Sequence, residues 1–426
     1  DVLSLVHALY GGATAAFRLA ESDIEYEHAW GDPEMDQFRR RVVAEFIGHA
    51  VGCVRYWGNS TVDGLHGVYN LCNNVISLAA APGIGSVRHQ HCPAIAVGAG
   101  PSLDSILPDL VRLRPHCLII AADSVAKKLK DAGCDPHVVT ALERLNSTAD
   151  KVRGYDGDAW LAAMPCVPRE TFTPFKRVVR VCHEDMIYEW AGFDRDAIYT
   201  GSTSGTMAVA LACRLTSGPV YLAGHDLLLD DGAYADGLSG YQHNEPIVEA
   251  YGNDAQKHKT KDSWVRAATD LAFMGQNLNH AQRMLYNLSA GADCGIFIQN
   301  TEPATPDRIP DTQEVSQIRF KTRRVDVAGI KWSGARLLSD FDALVEHAKS
   351  AESLDDCNAT CSISECNQAI FAYILRPLYC QMSVERRLGR PEEDIVSMYR
   401  QRIANFGSEM RGVFRQIAKC FGVADG

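Results

Sequence analysis

Ala94-Ile95-Ala96-Val97-Gly98-Ala99-Gly100-Pro101-Ser102-Leu103-Asp104 is the stretch that decides the fold. Four apolar residues unbroken by charge read as a short strand buried on both faces. The glycines that follow let the backbone turn tightly and approach a phosphate, and Ser102 is a good N-cap for a helix over 102–113. Strand, Gly-rich turn and helix together form the opening unit of an open α/β sheet. The third glycine of a dinucleotide fingerprint is missing, because Leu103 follows Ser102, and this counts against NAD. Gly-x-Gly also serves any turn that needs positive φ, so on spacing alone phosphate binding and a plain tight turn both stay open.

The same alternation continues outward. Residues 117–122 read as a second strand, 125–132 as a helix closed by Gly133, and 137–142 as a third strand. A long helix over 204–215 then leads into a strand at 219–223. This βαβα texture predicts the α/β class, a Rossmann-like central domain with a mostly parallel sheet, which we place at residues 91–301. Residues 1–90 read as a helix-rich N-terminal region, in which Met35, Phe38, Val42, Phe46 and Ile47 share one helical face. Residues 302–426 read as a Pro-rich linker over 302–310 and a helical C-terminal region, with helices near 337–348, 366–378 and 391–417.

The 426 residues carry 42 Lys+Arg against 53 Asp+Glu, a net charge of −11. With 46% hydrophobic and 22% charged residues the chain is globular, which excludes disordered and collagen-like classes. The acidic balance argues against a nucleic-acid partner. It leaves small anionic ligands open, since backbone amides and helix N-termini bind them without excess Lys or Arg. No apolar run approaches the roughly 18–20 residues of a membrane span. Residues 2–20, interrupted by His7 and Arg18, read as an amphipathic helix rather than a signal peptide. The 14 cysteines are scattered as small hydrophobes, and the spacing of Cys357, Cys361 and Cys366 matches no common zinc pattern. A soluble, cytoplasmic protein is the expectation.

Residues able to carry chemistry gather at the ends of the expected strands. Asp123 and Ser124 follow the second and Glu143 follows the third; such carboxylates either accept from a ribose or base, or cap the next helix. Thr200, Ser202, Thr203, Ser204 and Thr206 surround Gly201 and Gly205 at a helix start, where hydroxyls and free N–H groups suit a carboxylate or phosphate. Gly224-His225-Asp226 ends the strand at 219–223, and an acidic loop with Asp230, Asp231 and Asp236 either holds Mg²⁺ or is simply solvated. His243 and His258 lie in a polar stretch, 240–261, without clear periodicity, which reads as a lid or binding loop. A histidine there can exchange a proton near neutral pH.

Several of these blocks resemble one family. Gly98-Ala99-Gly100-Pro101-Ser102-Leu103, Ile120-Ala121-Ala122-Asp123-Ser124, Thr203-Ser204-Gly205 with Ala208-Val209-Ala210-Leu211, Tyr251-Gly252-Asn253-Asp254 and Asn287-Leu288-Ser289-Ala290-Gly291-Ala292 look, in order, like the motility accessory factor (Maf) glycosyltransferases. The resemblance spans residues 82–301. It implies transfer of a nonulosonic acid (sialic, pseudaminic or legionaminic) to a hydroxyl acceptor, such as flagellin Ser/Thr. The blocks are also similar to bacterial lipooligosaccharide sialyltransferases. That similarity implies an inverting transfer in which Gly98, Ala99, Gly100, Pro101 and Ser102 face the CMP part of the donor. It also implies Asp123, Ser124 and Glu143 near the nucleotide, Ser202, Thr203, Ser204 and Gly205 around the donor carboxylate, and Asp226 beside them. His258 fits best as the catalytic base, with His243 and His225 next. This chain has Ala99, Asp123 and Glu143 where those enzymes use Asn.

The expected partners are therefore a CMP-activated sugar and a protein or glycan acceptor, with no required cofactor and Mg²⁺ as an option. The alternative enzyme is of the archaeal 6-hydroxymethylpterin diphosphokinase type, which shares the Gly-x-Gly-Pro-Ser and Asp-Ser blocks and would bind ATP with Mg²⁺ through acidic residues. A third class, a non-catalytic nucleotide-sugar-binding protein, predicts binding without turnover. The sequence names neither the sugar, the acceptor nor the oligomeric state.

Overall fold

The structure, a computed structural model, describes residues 61–87, 89–229, 234–239, 247–289, 295–310, 314–315, 318–320, 325, 328–357, 363–387 and 389–420. The chain divides into two compact units. One comprises Asn74–His183 and Gly192–Asp326; the other comprises the described parts of Asp1–Asn73, Glu184–Ala191 and Val327–Gly426.

The first unit is built on an eight-stranded parallel sheet. Its strands are β1 (Ala94–Val97), β2 (Leu118–Ala122), β3 (Val138–Ala141), β4 (Trp160–Ala163), β5 (Arg177–Arg180), β6 (Val220–Ala223), β9 (Leu285–Asn287) and β10 (Glu302–Pro303), in the order β10-β9-β6-β1-β2-β3-β4-β5. The strands β7 (Ile247–Tyr251) and β8 (Lys257–Lys261) form a separate antiparallel hairpin. Helix α2 (Leu103–Leu113) follows β1, α3 (Ala126–Asp131) follows β2, and α4 (Ser147–Val152) follows β3. Helices α6 (Ser204–Leu215) and α7 (Asp262–His280) precede β6 and β9. Every residue of β1, β2, β3 and β6 is buried, as strands covered on both faces require, and this is why they read as unbroken apolar runs.

From β1 the sheet grows outward to β5, and the chain then returns through α6 to place β6 on the other side of β1. That reversal makes a switch point between β1 and β6, where open α/β sheets hold ligands beyond the carboxyl ends of their strands. Val97 is level with both Ala121 and Ala223, so the turns after β1, β2 and β6 share one edge.

Two expectations change. The linker expected over 302–310 begins instead with β10, which pairs Glu302 with Tyr286; Pro303 is tolerated because β10 is an edge strand with no further neighbour. The irregular lid expected over 240–261 contains the β7–β8 hairpin, whose polar composition hid a period of two: Ile247, Glu249 and Tyr251 face solvent. Strands β4, β5 and β9 were not read from the sequence. The helical face at 35–47 and the helix at 2–20 lie outside the described residues.

At the β5 edge, buried Arg180 pairs with Asp196 at 2.6 Å and also donates to the Leu78 and Ala81 carbonyls. Gly83 is required there, since a β-carbon would collide with the Asp196 carboxylate.

The second unit is helical. Helix α5 (Met186–Trp190) packs against α9 (Gln368–Arg387), and α8 (Ala328–Ser350) packs along α10 (Glu392–Cys420). Phe414 sits against both Phe341 and Phe371. Buried Asp340 accepts from Asn367 at 2.7 Å and from the Ser364 hydroxyl. Before the sheet, the described residues form helix α1 (Thr61–Ala80).

Candidate active site

The turn after β1 is packed directly onto the end of β6. Gly98 N–H donates to the Ala223 carbonyl and Gly100 N–H to the Gly224 carbonyl, both at 2.8 Å. A β-carbon on Gly98 would lie 2.6 Å from the Gly224 carbonyl oxygen, and one on Gly100 would collide with the Asp226 carboxylate. Gly224 adopts φ +66 to meet them. The glycines are therefore needed for backbone-to-backbone approach at the switch point. Ala99 contributes its carbonyl, which accepts from Ala235 N–H at 2.9 Å.

Asp226 closes the start of α2. Its carboxylate accepts the Ser102 N–H at 2.7 Å and the Ser102 hydroxyl at 2.5 Å, and that hydroxyl also meets Ser289 at 2.9 Å. The positive end of α2 is thus neutralised by the protein's own carboxylate. Pro101 has no N–H, so three of the four donors in the turn are committed internally.

The start of α6 is different. Thr203 and Thr206 form a reciprocal cap: the Thr203 hydroxyl accepts Thr206 N–H at 3.0 Å, and Thr203 N–H donates to the Thr206 hydroxyl at 2.9 Å. Met207 N–H reaches the Thr203 carbonyl. The N–H groups of Ser204 and Gly205 meet no partner among the described residues, as the first turn of a helix leaves them. Ahead of this start, Asp270 from α7 accepts Ser202 N–H at 2.9 Å and the Tyr199 hydroxyl at 2.6 Å, which fixes the approach loop.

Buried polar atoms crowd beneath that helix start. The Ser202 and Ser204 hydroxyls, the Asp123 Oδ2 and the His225 Nε2 are shut off from solvent, and none closes a well-aligned hydrogen bond among the described residues. The His225 ring lies under Gly205, its Cε1 3.3 Å from where a β-carbon on Gly205 or Gly98 would sit. Burial pushes its pKa down to about 4, against the effect of the Ala96 carbonyl to which it is bonded, so the imidazole is neutral at pH 7. Asp123, at the end of β2, is 1% exposed. Burial holds its carboxyl above the usual carboxylate range, while Lys151 at 3.8 Å and the Ser124 N–H at 2.8 Å oppose that shift. Thr140 on β3 donates to the Ser204 carbonyl at 2.8 Å, tying α6 to the sheet. Glu143 follows β3, its carbonyl accepting from the Thr148 hydroxyl at 2.9 Å.

His258 lies on β8, and both Asp254 carboxylate oxygens are 2.9 Å from its Nε2. The hairpin is tied to the switch point: Thr260 donates to the Leu227 carbonyl at 2.6 Å, Leu229 N–H to the Lys259 carbonyl at 3.0 Å, and Ile296 N–H to the Asp226 carbonyl at 2.7 Å. Leu227 has φ 56, a left-handed conformation that costs a bulky residue of order 1–3 kcal/mol and marks a held, strained turn.

The residues expected at the nucleotide thus follow β1, β2 and β3 at one sheet edge, and the α6 start expected at the donor carboxylate is joined to that edge through Thr140 and His225. His243, Asp230 and Asp231 lie outside the described residues. Sequence reasoning missed Lys151, Asp254 and Asp270. Asp270 carried a signal, an acid among Ala267, Ala268 and Leu271 on a buried helical face. Among the described residues no three His, Cys, Asp or Glu side chains are placed to hold a metal ion. Asp226 is committed to Ser102, and Asp104 to Lys128 and the Asp236 N–H.

Residues 69–232 match the family model described as 6-hydroxymethylpterin diphosphokinase MptE-like. The chain is similar in fold to the MAf glycosyltransferase from Magnetospirillum magneticum AMB-1. The TM-score is 0.57 and the sequences are 16% identical over 98% of this chain and 67% of that one. No curated protein matches the chain. The class defined by the fold is an α/β protein built on a parallel sheet, similar in fold to a Maf glycosyltransferase and matching an MptE-like family model over its central part. Among the described residues no helix is long and apolar enough to cross a membrane.

Proposed function

We propose that the protein is an inverting glycosyltransferase that moves a nonulosonic acid from a CMP-activated donor to a hydroxyl acceptor on a protein or glycan. The observation that carries this reading is the start of α6, where the Ser204 and Gly205 N–H groups have no partner among the described residues and lie beside the hydroxyls of Ser202, Thr203 and Ser204. Such a start stabilises an anion through N–H donors and the helix dipole, and here it receives the donor carboxylate. The turn at Gly98, Ala99, Gly100, Pro101 and Ser102, closed by Asp226, forms the floor under the nucleotide, and Asp123, Ser124 and Glu143 line its flank. The departing CMP phosphate gains charge, which preorganised donors stabilise without rearranging. His258 takes the acceptor proton, a contribution of typically 10²–10⁴-fold.

The family-model match favours a second reading, an ATP-dependent pterin diphosphokinase. A thermal-shift panel followed by a transfer assay separates the two. Stabilisation by CMP, together with transfer that His258→Ala abolishes, supports the transferase. Stabilisation by ATP with Mg²⁺ and none by CMP overturns it.

A further inference from the structure

We propose that Lys151 is the residue that recognises the phosphate of the bound nucleotide, its ammonium supplying a positive charge that the turn after β1 does not. This rests on the reading of the sheet edge as a nucleotide site, and it names the group that meets the phosphate there.

In open α/β sheets the turn after the first strand and the helix behind it usually hold a phosphate, through free N–H groups and the positive helix end. Here those donors are spent. Gly98 and Gly100 N–H are bonded to the Ala223 and Gly224 carbonyls, and Ser102 N–H is bonded to the Asp226 carboxylate. A phosphate at the start of α2 would therefore face a carboxylate instead of an open helix end. The nucleotide can lie over such a turn, but its charge has to be met beside it.

Lys151 brings a cation to the carboxyl ends of β2 and β3. It lies in the last turn of α4, which follows β3 and packs against the turn Asp123–Val125 after β2. The Thr148 hydroxyl, bonded to the Glu143 carbonyl at 2.9 Å, ties α4 to the end of β3. The Lys151 ammonium is 3.8 Å from Asp123 Oδ2, a charge contact beyond hydrogen-bond reach, so meeting a phosphate takes no hydrogen bond from Asp123. The two side chains differ in access: Lys151 is 19% exposed and Asp123 1%, so Lys151 is the partner that a solute reaches. The buried carboxylate fixes where the cation sits and offers the ligand no surface of its own.

The same carboxylate links Lys151 to the start of α6. The Ser204 hydroxyl faces Asp123, and together with Lys151 and the Ser124 N–H it opposes the effect of burial on that carboxyl. Thr140 on β3 holds the Ser204 carbonyl at 2.8 Å. Asp123 Oδ2 and the Ser204 hydroxyl are shut off from solvent without a well-aligned hydrogen bond among the described residues, the mark of a site whose polar groups are arranged for something besides the fold. One buried carboxylate thus has two anion-receiving neighbours, the Lys151 ammonium and the α6 start. That suits a ligand with two anionic groups, a phosphate and a carboxylate.

The test is calorimetric titration of the full chain with CMP and with ATP plus Mg²⁺, and competition by cytidine and adenosine, which lack the phosphate. Lys151→Met keeps the length of the stem and removes the charge. For whichever nucleotide the wild type binds, the expected loss in Lys151→Met is roughly 10–100-fold, the size of a charge-assisted contact to phosphate, with affinity for the matching nucleoside changed less than about twofold. Lys151→Arg restores the charge and should bring affinity back to within about fivefold of wild type. If Lys151→Met does not fold because Asp123 is stranded, the double variant with Asp123→Asn removes both charges and should show the same loss. Unchanged nucleotide affinity in Lys151→Met, or an equal loss for nucleotide and nucleoside, overturns the role of Lys151 and leaves the nucleotide reading standing. A wild-type protein that binds neither CMP nor ATP overturns that reading and the proposal with it.

Discussion

Replacing Asp226 with alanine tests whether the start of α2 is closed from within. The carboxylate accepts two donors from Ser102, which is itself 6% exposed. On truncation the Ser102 hydroxyl keeps Ser289 as a partner, but the buried Ser102 N–H loses its acceptor. Stranding one buried donor costs about 1–3 kcal/mol, and losing an ionised partner at a helix N-terminus adds about 0.3–1 kcal/mol. Returning the carboxylate to bulk water offsets part of this, so the expected loss is about 2–3 kcal/mol. Urea unfolding should show a lower midpoint with an unchanged slope. The variant should also recover stability in sulfate, which can take the place of the missing carboxylate; the wild-type protein should gain less. A loss under about 0.5 kcal/mol, with the same sulfate response in both proteins, would refute the closed start.

Three further outcomes follow from the same geometry. Gly205→Val introduces a side chain whose β-carbon lies 3.3 Å from the buried His225 Cε1, beside the proposed anion site; CMP-sugar affinity should fall at least tenfold by calorimetry with the circular dichroism spectrum unchanged. Arg180→Met leaves the Asp196 carboxylate buried without its partner, and thermal unfolding should show a loss of about 3–5 kcal/mol. Because the pKa of His225 is pushed down to about 4 in the fold, the unfolded chain binds more protons between pH 6.5 and pH 4. Stability should therefore be complete above pH 6.5 and fall by on the order of 3 kcal/mol from this residue as pH drops to 4, with a shallower fall in His225→Gln.

The strands that place the site were legible because each is buried on both faces and carries an apolar signal, and their alternation with helices implied a parallel sheet. The α6 start was legible too, since Thr203-Ser204-Gly205 states both the cap and the flexible position. The roles inside the Gly98–Ser102 turn were not. Whether glycine N–H groups face a ligand or a neighbouring strand depends on which strand lies alongside, and β6 comes more than a hundred residues later. Asp254 stayed hidden for a similar reason, because its meaning depends on a left-handed Ala255 that no local pattern announces. Strand β10 was masked by its proline, which signals a linker unless the strand lies at a sheet edge.

A crystal structure with a non-transferable CMP-nonulosonic acid tests the proposed donor site most directly. The sugar carboxylate should accept hydrogen bonds from the Ser204 and Gly205 N–H groups, with the nucleotide over the Gly98–Ser102 turn. A donor bound elsewhere, or one whose carboxylate leaves those two N–H groups unpaired, would contradict the assignment.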